Sequence, residues 1–161
     1  DPQHLAHHPN LAATAPTLAR HAHQHAQKLR GTPQPAQLAM VLVPIYGGHD
    51  RRRESGPLWD NDATAGRYEE RDYVATGSGS LHAGTVIKVG FRSDMSRDDA
   101  VNLAARALWE AADADSATGG PDALRGIYPV VATIDAGGWT RLADDDLAAR
   151  YETIVAEVRS R

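Results

Sequence analysis

Residues 113–122 read Asp113-Ala114-Asp115-Ser116-Ala117-Thr118-Gly119-Gly120-Pro121-Asp122, which puts carboxylates, hydroxyls and two glycines into ten positions. Ionised carboxylates only accept hydrogen bonds, whereas hydroxyls both donate and accept, so this mixture suits proton transfer and the holding of polar groups. The stretch falls between a strongly patterned helix and an apolar strand. Taken alone, it also fits a helix C-terminus followed by a turn, because Asp, Ser and Thr favour turns.

Other stretches have chemical readings of their own. Gly77-Ser78-Gly79-Ser80 precedes a helical pattern and could aim amides at a phosphate. It lacks the Lys-Thr or Lys-Ser and the spacing of a phosphate loop, so a turn into a helix is the preferred reading. His4, His7, His8, His21, His23 and His25 crowd the start of the chain. His21 and His25 stand one helical turn apart and could share a metal, but no carboxylate beyond Asp1 accompanies them. A solvated His-rich segment is preferred, and no metal site is expected. Trp59, Trp109 and Trp139 are scattered and read as packing residues. Arg51-Arg52-Arg53 reads as a solvated loop.

The elements that must position these residues follow from hydrophobic period and punctuation. Thr17 can cap a helix to Arg30, and Thr32-Pro33-Gln34-Pro35 breaks the chain. Leu38–Tyr46 reads as a buried strand. Leu58–Asp62 and Arg67–Thr76 read as two strands joined by Ala63-Thr64-Ala65-Gly66. A short helix is expected near Leu81–Lys88. A longer one is expected from Ser96 to about Asp113, with Ser96 and Asp99 as a capping box and Val101, Ala104, Ala105, Leu108 and Ala112 on its apolar face. A strand over Ile127–Ile134, a hairpin at Asp135-Ala136-Gly137-Gly138 and a strand over Trp139–Leu142 come next. The last helix opens on Asp144-Asp145-Asp146, where negative charge suits the dipole, and buries Leu147, Tyr151, Ile154, Val155 and Val158.

Composition sets the outer bounds. With 161 residues, one domain is the prior. A net charge of -4 with interspersed signs argues against nucleic acid as the main partner. The sequence has no cysteine, so disulfides, zinc thiolates and a cysteine nucleophile are excluded within it. A reducing cytoplasm fits. The apolar run Leu38–Tyr46 is far short of the about 20 residues that span a bilayer, so no membrane is expected.

Several motifs in one order resemble the proteasome β subunit family, of the actinobacterial kind. They are Gly66-Arg67-Tyr68-Glu69-Glu70, Tyr73-Val74-Ala75-Thr76-Gly77-Ser78-Gly79-Ser80-Leu81, Asp98-Asp99-Ala100-Val101, Asp115-Ser116-Ala117-Thr118-Gly119-Gly120-Pro121-Asp122, Arg125-Gly126-Ile127-Tyr128-Pro129 and Ile134-Asp135-Ala136-Gly137-Gly138. The resemblance is good over residues 57–161 and looser over 16–48, and residues 1–15 stand as an unmatched His-rich segment. It implies an α+β fold, an antiparallel β-sandwich flanked by helices in the four-layer αββα arrangement of N-terminal nucleophile hydrolases. It also implies that this chain is the C-terminal part of that domain, incomplete at its N-terminus, with early strands missing and apolar sheet edges exposed.

The activity implied by the resemblance is threonine-type endopeptidase cleavage in the ATP-independent core of intracellular protein degradation. An N-terminal threonine attacks the peptide carbonyl and its own α-amine serves as base, which is workable because an α-amine titrates near ~7.7–8. No cofactor is implied. The implied partners are other β subunits in a seven-membered ring, α-subunit rings, and unfolded protein or peptide substrates. The chain begins with Asp1, and neither Lys28 nor Lys88 lies in the context of the family's catalytic lysine. The nucleophile is therefore expected to be absent from this chain. Supporting positions carry over by resemblance: Ser78 beside the nucleophile's amine, Asp115 and Thr118 around it, and Gly119 permitting close backbone approach. The alternative expectation is a non-catalytic structural or interaction subunit that keeps the fold.

Overall fold

The computed structural model describes residues 44–62 and 66–160. The expected helix over 17–30, the bend at 32–35, nearly all of the strand over 38–46, the His-rich segment and the 15/16 boundary lie outside the described residues. The described chain divides into two compact units, one running to Val74 and taking in Ile134–Trp139, the other holding Ala75–Thr133 and the residues from Thr140 onward.

In the first unit, β1 (Tyr46–Gly47), β2 (Leu58–Asn61) and β3 (Arg67–Glu70) form an antiparallel sheet in that order. Tyr46 pairs with Trp59, and Leu58 through Asn61 pair with Glu70 through Arg67. Side chains alternate across a strand, so Trp59 and Asn61 share the buried face of β2. Trp59 is 2% exposed, and Asn61 donates its amide to the Pro44 carbonyl at 2.9 Å. The expected strand over Arg67–Thr76 stops at Glu70. The chain bends at Arg71 and Asp72 instead of continuing the ladder. The Arg51–Arg53 run is an exposed turn, as a solvated loop requires.

The second unit is built on helices. α1 spans Ser80–Gly90, α2 spans Arg97–Ala114 and α3 spans Asp144–Arg159. Ser96 caps α2: its hydroxyl accepts the Asp99 amide at 3.1 Å and donates to the Asp99 carboxylate at 2.8 Å. This differs from a full capping box, in which the acid would reach back to the Ser96 backbone.

The buried positions of α2 are Val101, Ala105, Ala107 and Ala111, whereas Leu108 of the expected face is 37% exposed. The helix has neighbours on two sides, which a single apolar stripe does not describe. Ala107 and Ala111 pack on Ala83 of α1, while Ala105 packs on Tyr151 and Ile154 of α3. Alanines at the α1–α2 contact let the two backbones come close. Val101, Leu142 and Leu147 form a further cluster with Tyr128 and Val131 against it. On α3, Leu147, Tyr151 and Ile154 are buried as expected, but Val158 is 38% exposed.

β4 (Ala132–Asp135) and β5 (Gly138–Arg141) form a hairpin through the Ala136-Gly137 turn. The strand expected from Ile127 starts only at Ala132. Ile127 instead closes a loop with Asp122 through two backbone hydrogen bonds of 2.8 and 2.9 Å, and Pro129 removes a ladder donor in between. The described residues thus combine helices with antiparallel strands, as an α+β class requires.

Candidate functional site

Two of the singled-out motifs meet in the second unit. Asp115 is the C-cap of α2, its amide donating to the Ala111 carbonyl at 2.9 Å. Helical backbone ends there because the polar stretch satisfies itself locally. The Ala117 amide donates to Asp115 Oδ1 at 3.3 Å and the Thr118 amide to the Asp115 carbonyl at 3.0 Å. These are the bonds of an Asx-type turn. Gly77, at φ 99, supplies the left-handed bend that leads Ser78 and Gly79 into α1.

The result is a three-residue cluster. Ser78 Oγ and Thr118 Oγ1 both donate to the same oxygen, Asp115 Oδ2, each at 2.5 Å. That is the short end of the range for a hydroxyl donating to a carboxylate. Ser78 lies 37 positions from Asp115, so the meeting depends on how α1 docks on α2. The Ser78 hydroxyl holds the Asp115 carboxyl below the usual carboxylate range, with further lowering by the Thr118 hydroxyl and the Ala117 amide. Partial burial opposes them, and the charge of His82, in the first turn of α1, adds to the lowering. A carboxylate at a helix C-terminus faces the negative end of that dipole, so this position needs its donors.

The chemical character follows. Both hydroxyls spend their hydrogen on Asp115, leaving lone pairs as acceptors. The group therefore presents oxygen acceptors around one negative charge, a surface for a donor such as an amine.

Of the four positions named from sequence, three converge here and Gly119 behaves differently. A Cβ built on Gly119 meets nothing within 4 Å among the described residues. The crowded glycine is Gly79, where a Cβ would lie 2.5 Å from Thr118 Oγ1. The sequence marks both glycines and cannot tell which one is crowded, since that depends on helix docking. His82 was likewise not singled out. Among the described residues, no group of three or more His, Asp or Glu could hold a metal.

A groove of about 920 Å³ among α1, α2 and α3 is lined by residues including Val89, Leu103, Arg106, Arg150 and Ile154, and by none of the cluster. Its cations are paired already: Arg106 with Glu110 and Glu157 at 2.9 Å each, and Arg150 with Asp98 at 2.9 Å.

A hydroxyl–carboxylate cluster at the end of a helix in an α+β protein fits several hydrolase classes; comparison with known proteins narrows the choice. The family model for proteasome subunits matches residues 7–124. That match begins inside the His-rich first fifteen residues. "Proteasome subunit beta" of Acidimicrobium ferrooxidans is 43% identical over 154 residues, covering 96% of this chain and 55% of that protein. The protein of the same name from Acidothermus cellulolyticus is 40% identical, over 94% of this chain and 54% of its own length. That from Frankia casuarinae is 39% identical, over 95% and 56%. The chain belongs to the proteasome subunit family, and it spans about half the length of the curated relatives it matches.

Proposed function

We propose that the chain is part of a proteasome β subunit and that Ser78, Asp115, Thr118 and Gly119 support a threonine nucleophile. The observation that carries this reading is the convergence of two hydroxyls on one Asp115 oxygen. It occurs at the positions that the family resemblance assigns to the surroundings of the amine.

The chemistry divides cleanly. An N-terminal threonine hydroxyl attacks the peptide carbonyl, and its proton passes to the threonine's own amine. The residues of this chain hold that amine. Ser78 and Thr118 accept its N–H groups through the lone pairs that their bonds to Asp115 leave free. The Asp115 charge favours the ammonium that forms when the amine takes the proton. Gly119 leaves open space where the amine-bearing backbone approaches.

The wider reading includes the four-layer αββα sandwich, a ring of seven β subunits stacked on α-subunit rings, and cytoplasmic degradation of unfolded proteins or peptides without a cofactor. The family membership and the names of the relatives support it. Among the described residues no helix is long and apolar enough to cross a membrane.

Two measurements on the protein from its natural source test this. Sequencing its N-terminus, together with the DNA upstream of the Asp1 codon, should reveal a threonine-initiated segment carrying an early aspartate and lysine. Native mass spectrometry should find the chain in a high-mass particle whose peptidase activity a threonine-directed inhibitor removes. A start codon at this boundary together with an inhibitor-insensitive particle would refute the catalytic reading and favour a purely structural subunit.

A further inference from the structure

We propose that Gly79 is a positioning residue: the space of its missing Cβ lets the Thr118 hydroxyl reach Asp115. The catalytic consequence rests on the function proposed above, but the geometric claim stands on this chain alone.

Gly79 has φ −81 and ψ 4, a conformation open to most residues, so backbone freedom is not what the position needs. Space is. A Cβ here would lie 2.5 Å from Thr118 Oγ1, 3.4 Å from Thr118 Cβ and 3.2 Å from Ala111 Cβ. Ala111 is 1% exposed in the α1–α2 contact and has nowhere to go. Asp115 is fixed as the cap of α2. The group free to give way is the Thr118 side chain. Rotating it about χ1 carries Oγ1 off Asp115 Oδ2, to which it now bonds at 2.5 Å. A side chain at Gly79 and the Thr118–Asp115 bond therefore exclude each other. Gly84, on the same helix, differs: a Cβ there sits at an ordinary 3.8 Å from Ala75.

The Thr118 bond is one of the donors that hold the Asp115 carboxyl low, which gives a readout independent of catalysis. Carboxyl-carbon NMR titration of the full chain should find the Asp115 midpoint below the ordinary range. Gly79→Ala should raise it, and Thr118→Ala should raise it similarly. The double variant should match Thr118→Ala alone, because the bond that Gly79→Ala breaks is already gone. Gly84→Ala should leave it in place. An Asp115 midpoint that Gly79→Ala leaves unchanged overturns the proposal. If Gly79→Ala does not fold, the double variant must regain a cooperative melt. If it does not, Ala111 sets the constraint and the proposal fails.

In the peptidase particle, Gly79→Ala should lower kcat on the order of 100-fold with KM held, the scale of a small misplacement near the chemistry. A wild-type particle without peptidase activity would refute the proposed function, while the titration would still decide the role of Gly79.

Discussion

Asp50 and Asp115 are both carboxylates held below their ordinary range, but they are held in opposite ways. Asp50 is 8% exposed, and its oxygen accepts backbone amides from Arg52 at 2.8 Å and Arg53 at 3.3 Å. Those partners are supplied within three residues, so any chain folding this turn supplies them. Asp115 takes its first donor from Ser78, an exposed hydroxyl 37 positions away. Local capping explains Asp50 completely. Nothing in turn formation requires Ser78, and this separates a carboxylate held by its own turn from one held across 37 positions of the chain.

The largest test of that contrast compares the two Asn variants in the peptidase particle proposed above. Asp115→Asn should cost peptidase activity at least about 100-fold, the lower scale of a lost acid–base contribution. Asp50→Asn should lower the melting temperature and leave the rate unchanged. Equal effects on rate would erase the contrast.

Next comes Leu147→Ala, which opens a cavity in the Val101–Leu142–Leu147 cluster, where Leu147 is 0% exposed. Denaturant unfolding should record a loss of about 2–5 kcal/mol. Asp115 should titrate as before in the folded fraction, so a scaffold defect would be distinguishable from a site defect.

A smaller effect is expected for Ser78→Ala. Losing one hydrogen bond to a charged group should reduce kcat/KM about tenfold and raise the Asp115 midpoint. A variant with native kcat/KM would make Ser78 another local feature.

The smallest effect concerns a polar group with no partner. The buried Tyr151 hydroxyl makes no hydrogen bond, and burial pushes its pKa up to about 12 from 10.0. The unfolded phenol ionises first, so stability is intact below pH 10.0 and declines as pH rises through about 12. Thermal melts of Tyr151→Phe should equal or exceed wild type at neutral pH, because a buried hydroxyl without a partner is removed, and should lose part of that alkaline decline. An unchanged alkaline profile would assign the decline to other groups. The two aspartates have the opposite sign: their stabilisation is present above about pH 4 and is lost as pH falls through their lowered folded values.

Much of this was legible in residue patterns. Ser96 announced the start of α2, Asp144-Asp145-Asp146 the start of α3, and Ala136-Gly137 the hairpin. What failed was set by neighbours. A single apolar stripe places Leu108 in the core, but α2 meets helices on two sides and Leu108 is 37% exposed. The strand from Arg67 ends in bends at Arg71 and Asp72, and the one expected from Ile127 is pre-empted by the Asp122–Ile127 loop closure and Pro129, none of which hydrophobic periodicity sees. Ser78, Asp115 and Thr118 were legible through family resemblance, whereas composition alone favoured a turn. Gly119 is expected to admit the backbone of the nucleophile, whereas the glycine crowded by its own chain is Gly79, which only helix docking reveals.

The central claim is that Asp115 serves an amine base. The most direct measurement is the pH dependence of kcat/KM for the particle with Asp115 and with Asp115→Asn. The carboxylate favours the ammonium, so it raises the pH at which the amine becomes free to act. Removing its charge should lower the rate and move the acid limb to lower pH. An Asn variant with the native rate and an unmoved acid limb would contradict the account.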